Sequence, residues 1–242
     1  MKQRFAMPVS LSPNSLPKGE RDAGSLREFH VKPSFPSGLY AITPETADTA
    51  RLLSQVEAAL TGGIAAVQYR DKSGDVARRH EQASELVALC HRYHVPLIIN
   101  DDLRLADLCG ADGVHLGRDD GSVAKARVIL GPDKFIGASC YQSLDIALAA
   151  QAEGADYLAF GSFYPSATKP QAVRAELALL HVARSAIHVP IVAIGGITLS
   201  NALALLDAGA DSLAILGALF DAPDIRAAAH EFNQLFKSEP ED

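Results

Sequence analysis

The chain has 242 residues, which is enough for one barrel-sized α/β domain or for two small ones. Its 48% hydrophobic content supports a large core, and its net charge of −7 gives no basic field for binding nucleic acid. Three unpatterned cysteines and the absence of an apolar run near ~18 residues favour a cytoplasmic protein without disulfides or a membrane partner.

Residues 1–37 differ in composition from the rest of the chain. They contain five prolines, several serines and no sustained periodicity, which predicts a flexible extension. They lack the apolar core of a secretory signal, and their acidic residues argue against a transit peptide. Residues 237–242 are expected to form a frayed acidic tail, so that 38–236 make up the single folded domain.

Short apolar runs alternate with Ala- and Leu-rich stretches from Gly38 onward. The runs predict eight strands, at 39–43, 65–70, 96–100, 112–116, 135–139, 156–160, 191–195 and 212–216. The stretches between them predict helices, among them 46–61, 75–93, 142–152, 175–187, 199–207 and 223–236. This alternation predicts a parallel sheet, and eight units in about 200 residues are typical of a (β/α)8 TIM barrel.

A repeated turn supports the barrel. The segments 109–117, 153–161 and 208–216 share Gly-Ala-Asp before an apolar run, and 61–69 is a degenerate copy. The glycine can end a helix with a positive φ. The copies precede predicted strands two, four, six and eight, which is the period of a four-fold quasi-symmetric barrel. A doubly wound sheet is the alternative, but no glycine-rich dinucleotide turn follows the first strand.

Polar residues stand where the predicted strands end, and these ends form the active site of a barrel. Gln68, Arg70 and Lys72 share one side of the second strand. Two cations there favour a bound anion, and a solvent-exposed strand exit is the alternative. Two acidic pairs follow strands three and four, Asp101–Asp102 and Asp119–Asp120. One acid of each pair is expected to cap the next helix, which leaves two carboxylates for a hard cation such as Mg²⁺.

A second anion-binding region is predicted where strands six to eight end. Gly195 and Gly196 follow the seventh strand, where glycine N–H groups can approach a phosphate closely, and Gly217 follows the eighth. Barrels commonly bind phosphate between these two loops. The neighbouring loop 161–170 offers hydroxyls and an ammonium between two prolines. His115 of the fourth strand is expected to face the barrel interior.

The motifs, taken in chain order, resemble those of the thiamine-phosphate synthase family. They are QYRDK (68–72), INDD (99–102), GVHLG followed by RDD (113–120), IGASC (136–140), GSFYPSATK (161–169), IGGI (194–197) and GADSLAIL (209–216). The resemblance covers about Leu39 to Ile225. It implies a TIM barrel and a Mg²⁺-dependent transferase of thiamine biosynthesis. The family joins 4-amino-2-methyl-5-hydroxymethylpyrimidine diphosphate to a thiazole phosphate, with release of diphosphate.

Residue by residue, the resemblance implies three groups of site residues. The pyrimidine diphosphate would contact Gln68, Arg70, Lys72, Asn100, Ser139 and Lys169. The thiazole phosphate would contact Ser166, Thr168, Gly195, Gly196, Leu216 and Gly217. The Mg²⁺ ligands would be Asp101 and Asp120. Stabilisation of the departing diphosphate would make four of these residues catalytic: Arg70, Lys72, Ser139 and Lys169.

Three departures from the family pattern bear on the alternatives. Ser166 stands where the family usually has Thr, Gly217 stands where it often has Ser, and Cys140-Tyr141 replaces a frequent Thr-His pair. A thiazole tautomerase of a related barrel uses a His in that region, so Tyr141 argues against this alternative. The other alternative is a barrel that binds thiamine phosphates without turnover. A homodimer is compatible with the resemblance, which does not decide the oligomeric state or whether the thiazole substrate carries a carboxylate.

Overall fold

A computed structural model describes residues 32–165 and 173–237, and its eight parallel strands close into a barrel. The strands pair in chain order, and the first also pairs with the eighth. Their bounds are β1 Gly38–Ile42, β2 Ala66–Tyr69, β3 Leu97–Asn100, β4 Gly113–Leu116, β5 Phe135–Tyr141, β6 Tyr157–Gly161, β7 Ile191–Ile194 and β8 Ser212–Ile215. The predicted TIM barrel is therefore confirmed.

Helices alternate with these strands through the described ranges. Their bounds are α1 Thr49–Thr61, α2 Val76–Arg92, α3 Leu103–Cys109, α4 Val123–Leu130, α5 Leu144–Ala152, α6 Leu177–Ala186, α7 Leu199–Asp207, α8 Gly217–Phe220 and α9 Ile225–Gln234. The predicted helices agree with these apart from small shifts at their ends, and the short helix α8 is an addition. No helix in the described part of the chain is long and apolar enough to cross a membrane.

Side chains at the helix starts explain where several helices begin. The first three helices are capped by aspartates that accept a backbone N–H three residues further on: Asp48, Asp75 and Asp102. The cap of α4 is Ser122, which accepts from the N–H of Lys125. The prediction that Asp119 or Asp120 caps this helix is therefore wrong, because the loop after β4 runs further before the helix starts.

The core has two layers because successive strand side chains point to opposite faces of the sheet. Residues such as Val67, Ile99 and Val114 pack outward against the helices. The other face fills the barrel interior with a second cluster: Tyr40, Ile42, Ala66, Ile98, Phe135, Tyr157, Ala159, Val192 and Ala214. The interior is therefore packed with side chains and is not an open channel.

Residues 32–37 pack against the barrel, although they fall within the predicted extension 1–37. Phe35 is 2% exposed and stacks on Tyr157 with 3.9 Å between ring centroids, at the end of the barrel where the strands begin. Lys32 Nζ lies 2.7 Å from the Asp156 carboxylate. The packed region thus starts before the predicted boundary at Gly38. The expectations for 1–31 and 238–242 concern residues outside the described ranges.

The intact copies of the repeated turn all make the same contact. Each carries an aspartate, called here a turn aspartate, just before an even-numbered strand: Asp112, Asp156 and Asp211. Each turn aspartate accepts a backbone N–H at the start of the preceding strand, with distances of 2.9 Å to Leu97, 2.6 Å to Ile136 and 2.7 Å to Ile191. The turns therefore tie neighbouring strands together at the amino end of the barrel.

Each turn aspartate also pairs with a basic side chain from the helix before that preceding strand. The partners are His91, Arg127 and Arg184, in the same order. The degenerate copy has Ala65 in place of the aspartate. The glycines that end the preceding helices have positive φ as predicted, with values of 70° at Gly110, 93° at Gly154 and 107° at Gly209.

Candidate active site

Predicted site residues from β2 and β3 meet where these strands end. Lys72 Nζ forms an ion pair with the Asp101 carboxylate, and Asn100 Nδ2 donates to the same carboxylate at 2.7 Å. Asp101 has a φ of 63°, and its N–H donates to His115 O at 2.8 Å. This left-handed backbone is uncommon for aspartate. It separates the Asp101 carboxylate from that of Asp102, which caps α3, so the predicted spare acid after β3 is Asp101.

The carboxyl groups of Asp101 and Asp120 interact with each other. Burial is the largest single influence and opposes the ionisation of Asp101, but the hydrogen bonds from Lys72 and Asp120 and the charge of Lys72 together hold the pKa of Asp101 below its ordinary value. Burial and the neighbouring Asp101 raise the pKa of Asp120. Asp120 also accepts the Gly117 N–H at 2.9 Å, which fixes its loop. The spare acid after β4 is therefore Asp120.

The two neighbouring carboxylates are suited to binding a magnesium ion between them. Their mutual repulsion would be relieved by a divalent cation, and oxygen atoms are the ligands that Mg²⁺ prefers. Among the described residues, no third histidine, cysteine or acidic residue joins them into a closed metal site. Mg²⁺ commonly takes one or two carboxylates and completes its shell with water and substrate phosphates.

A cavity of about 760 Å³ opens beside the two carboxylates. This volume is in the range of ordinary small-molecule sites. Basic side chains on its wall are Lys72, Arg79, Arg104 and Lys125, and acidic ones are Asp71, Asp101, Asp102 and Asp120. A wall with both signs of charge suits an anion that binds together with a cation.

The turn between β2 and α2 holds the backbone of Lys72 in place. Asp71 accepts the Ser73 N–H at 2.7 Å and pairs with Arg78 at 3.3 Å. The Lys72 N–H donates to Glu45 Oε2 at 2.9 Å. Asp71 therefore has a structural role at the edge of the cavity, where it fixes the turn that carries Lys72.

The Asp71 contact predicts a pH-dependent contribution to stability. Burial opposes ionisation of Asp71, but the hydrogen bonds from Ser73 and Arg78 lower its pKa below the ordinary value. Because the folded-state pKa is depressed, the stabilisation is present above the unfolded-state pKa of ~3.9 and is lost as the pH falls through the folded-state value. Asp71→Asn should therefore lower the free energy of unfolding by about 1 kcal/mol near neutral pH, with a smaller difference below about pH 4.

Urea unfolding of wild type and Asp71→Asn at several pH values measures this difference. The control is Asp107→Asn, which changes an exposed aspartate late in α3. The interpretation of Asp71 would be contradicted by a stability difference that stays constant from neutral pH down to about pH 3, because the unfolded state already binds the proton there.

Gln68 and Ser139 lie at the two ends of a hydrogen-bonded network inside the barrel. Gln68 Nε2 donates to the Tyr40 hydroxyl at 2.8 Å, and the Tyr40 and Tyr157 hydroxyls are 2.8 Å apart. The Tyr157 hydroxyl lies 3.1 Å from His115 Nδ1, and His115 Nε2 lies 2.9 Å from Ser139 Oγ. The prediction that His115 faces the barrel interior is thus confirmed.

The two tyrosines of this network were missed in the sequence. The available signal was the alternation in β6, where Tyr157 shares a face with the small residues Ala159 and Gly161. A large side chain among small ones on one face is compatible with the interior of a narrow barrel. The same reasoning applies to Tyr40, which shares its face with Ile42.

The glycines after β7 allow a close approach of the segment that follows β6. The φ values are 104° at Gly195 and 62° at Gly196. The Tyr164 N–H donates to Gly195 O at 3.0 Å, and a Cβ on Gly196 would lie 2.3 Å from Pro165 O. Only glycine fits this arrangement. The loop therefore starts beside these glycines, and three predicted residues further along it lie outside the described residues: Ser166, Thr168 and Lys169.

The end of β8 leads directly into the short helix α8. Leu216 precedes this helix and Gly217 is its first residue. A Cβ on Gly217 would lie 3.1 Å from an Asp221 carboxylate oxygen, a tight contact that a small movement of the Asp221 side chain would relieve. Phosphate sites in TIM barrels are frequently built from the loops after β7 and β8 and the start of a short extra helix.

Tyr141 is the last residue of β5, and it contacts the loop after β4. The Tyr141 hydroxyl accepts the Arg118 N–H at 3.2 Å, and the Arg118 guanidinium lies 4.8 Å from the centre of the Tyr141 ring. Tyr141 therefore packs against the loop that carries Asp120.

Comparisons with known proteins cover the whole barrel. The sequence model of the family described as thiamine monophosphate synthase matches residues 39–219. The chain is 72% identical over 209 residues to the thiamine-phosphate synthase of Thiobacillus denitrificans, and the aligned region covers 86% of this chain and 99% of that protein. It is 56% identical over 199 residues to the thiamine-phosphate synthase of Methylobacillus flagellatus, with 82% and 95% covered. The solved structure of thiamine phosphate pyrophosphorylase from Pyrococcus furiosus superimposes with a TM-score of 0.74 at 34% identity, covering 83% of this chain and 95% of that one.

Proposed function

The chain belongs to the thiamine-phosphate synthase family, and we propose that it joins 4-amino-2-methyl-5-hydroxymethylpyrimidine diphosphate to a thiazole phosphate. The products are thiamine phosphate and diphosphate, and CO₂ if the thiazole carries a carboxylate. The observation that carries the proposal is the cluster of Lys72, Asp101 and Asp120 where β2, β3 and β4 end. This cluster supplies the charges that a metal-bound diphosphate requires.

The diphosphate side of the site would act by electrostatics. In a dissociative displacement, the C–O bond to diphosphate breaks before the thiazole nitrogen attacks, so negative charge grows on the leaving group. Arg70, Lys72 and Lys169 would stabilise that charge, and Asn100 and Ser139 would fix the orientation of the diphosphate. This reaction needs no strong general base.

Asp101 and Asp120 would hold the magnesium ion that neutralises part of the diphosphate charge. The interaction between their carboxyl groups and the raised pKa of Asp120 support this assignment. Gln68 would meet the pyrimidine from the barrel interior, where its amide is held by Tyr40.

The thiazole phosphate would bind on the other side of the ring. We assign its contacts to the β7 and β8 ends and to the loop after β6: Gly195, Gly196, Leu216, Gly217, Ser166 and Thr168. The close packing of Gly196 against Pro165 supports this assignment because it brings the β7 end and the loop after β6 together. The β8 end lies beside them because β8 pairs with β7. Two separate phosphate sites would align the reacting carbon and nitrogen atoms and so lower the entropic part of the barrier.

We assign the reaction to the cytoplasm because the three cysteines, Cys90, Cys109 and Cys140, are free thiols. Tyr141 packs on Arg118 where a tautomerase would place its His, which gives the tautomerase alternative no support.

The test is a reaction of the purified chain with both substrates, with and without magnesium. We expect diphosphate and thiamine phosphate in equal amounts. Chelation of the cation should lower the rate on the order of 100-fold, and excess Mg²⁺ should restore it. Omission of the thiazole phosphate is the control. A folded chain that forms no thiamine phosphate overturns the proposal, and tight binding of product without turnover would favour the non-catalytic alternative.

A further inference from the structure

Five side chains from five strands form a continuous hydrogen-bonded series, called here the interior network. Its members, in order of contact, are Gln68 (β2), Tyr40 (β1), Tyr157 (β6), His115 (β4) and Ser139 (β5). The first four are between 0% and 7% exposed. The network links two residues expected to meet substrate through three that are not assigned any contact with it.

The chemistry of Gln68 sets the direction of the first two hydrogen bonds. An amide Nε2 can only donate, so the Tyr40 oxygen accepts from Gln68. Either tyrosine hydroxyl could donate to the other, but donation by Tyr157 would leave the buried Tyr40 hydrogen without an acceptor among the contacts of the described residues. Tyr157 then accepts from Tyr40, and its own hydrogen is directed to His115 Nδ1 at 3.1 Å. Burial raises the pKa of both tyrosines, which keeps both hydroxyls protonated.

The direction continues through the imidazole to Ser139. If Nδ1 of His115 accepts a hydrogen bond, the neutral ring carries its hydrogen on Nε2. This Nε2–H donates to Ser139 Oγ at 2.9 Å. Because Ser139 Oγ accepts from His115, the Ser139 hydrogen is available to an acceptor outside the network. Ser139 lies in the later part of β5, toward the end of the barrel where the substrates would bind.

Packing holds the central ring of the network in one orientation. Tyr157 is stacked on Phe35 with centroids 3.9 Å apart and lies beside the His115 ring at 5.5 Å. A Cβ on Gly137 would lie 2.0 Å from Tyr157 Cζ, so Gly137 makes room for this ring. The tyrosine cannot turn away from His115 without disturbing these neighbours.

We propose that Tyr40, Tyr157 and His115 are positioning residues that orient the hydroxyl hydrogen of Ser139 toward the diphosphate. This inference rests on the proposed function, in which Ser139 contacts that group. A donor that is oriented before substrate binds does not have to reorganise when charge develops on the leaving group. Each hydrogen stays on its own atom throughout, and no proton passes along the network.

The first test reads the tautomer of His115 by ¹⁵N NMR on the ligand-free protein, with the signal assigned by its loss in His115→Gln. We expect protonated Nε2 and unprotonated Nδ1 in wild type. Tyr157→Phe removes only the hydroxyl that donates to Nδ1, so a second tautomer should appear. Tyr93→Phe is the matched control, because the Tyr93 hydroxyl contacts Glu57 outside the network, and it should keep the wild-type tautomer. Wild-type His115 with its hydrogen on Nδ1 overturns the proposal.

The second test separates positioning from a merely structural role. We expect Tyr157→Phe to lower kcat about tenfold and to leave the KM for the pyrimidine diphosphate within about twofold, since the hydroxyl acts on a donor whose effect is greatest in the transition state. Tyr93→Phe should retain the wild-type kcat. A Tyr157→Phe protein that melts earlier but keeps the wild-type tautomer and kcat overturns the proposal. A wild-type protein without transferase activity but with the expected tautomer refutes the proposed function and supports the network orientation.

Discussion

Replacing Asp101 with asparagine is expected to lower kcat on the order of 100-fold and to raise the Mg²⁺ concentration that gives the half-maximal rate. Asparagine retains an oxygen but lacks the negative charge of Asp101, which attracts Lys72 and repels the carboxylate of Asp120. The measurement is the initial rate of diphosphate release against Mg²⁺ concentration. Calorimetric titration of Mn²⁺ into the protein gives a second readout that does not need turnover.

The adjacent residue offers a matched control for this substitution. Asp102→Asn makes the same chemical change one position later, but Asp102 caps α3 and pairs with Arg79 at 2.9 Å. Asparagine caps helices about as well as aspartate, so the Mg²⁺ dependence should stay at the wild-type level. Equal losses of activity and metal binding in the two variants would contradict the assignment of Asp101 as the ligand.

Replacing Asp156 with alanine is expected to lower the free energy of unfolding by about 3 kcal/mol. This turn aspartate contacts Arg127 at 2.5 Å, Lys32 at 2.7 Å and the Ile136 N–H at 2.6 Å, and its side chain is only 20% exposed. Its removal leaves the Ile136 N–H without its acceptor and takes the anionic partner from Arg127 and Lys32, whose remaining hydrogen bonds go to backbone carbonyls. Urea unfolding followed by circular dichroism measures the loss.

Asp107→Ala is the control, because Asp107 is an exposed aspartate in the last turn of α3. Its loss should change stability by no more than about 0.5 kcal/mol. We also expect Asp112→Ala to cost less than Asp156→Ala, since its side-chain partner His91 is half exposed. Equal effects of Asp156→Ala and Asp107→Ala would show that the turn aspartates do not stabilise the barrel.

The barrel could be predicted from the sequence because its signals are local and repeated. Each strand is a short apolar run, and the Gly-Ala-Asp turns mark the two-unit period. The contacts of the turn aspartates could not be predicted from these local signals, because each aspartate contacts a strand and a helix that precede it in the chain. The cap of α4 was missed for a related reason. Ser and Asp are nearly equal as capping residues, and only the folded loop shows that Asp120 is engaged with Gly117.

The candidate site also has residues that local sequence patterns indicated and contacts that only the folded structure shows. Alternation in β2 indicated Lys72, and the acidic pairs after β3 and β4 indicated one spare carboxylate each, because these residues follow the ends of their strands. The resemblance to the family then singled out Asp101 and Asp120. The partners of Gln68 and Ser139 lie across the barrel, and the residues that meet there depend on the stagger of eight strands. Tyr40 and Tyr157 therefore became identifiable only from the structure.

Phe35 covers Tyr157, a member of the interior network, although it is not one of the proposed site residues. It lies outside residues 39–219, the part matched by the family, yet it covers the side of Tyr157 that faces away from the substrates. A chain shortened to begin at Gly38 would keep every proposed site residue but would lose the ring that covers this side of Tyr157. Water that reached the Tyr157 hydroxyl would compete for His115 and weaken the orientation of Ser139. If the proposed orientation of Ser139 holds, exclusion of water from this end of the barrel is a condition for full turnover in addition to the charges at the opposite end.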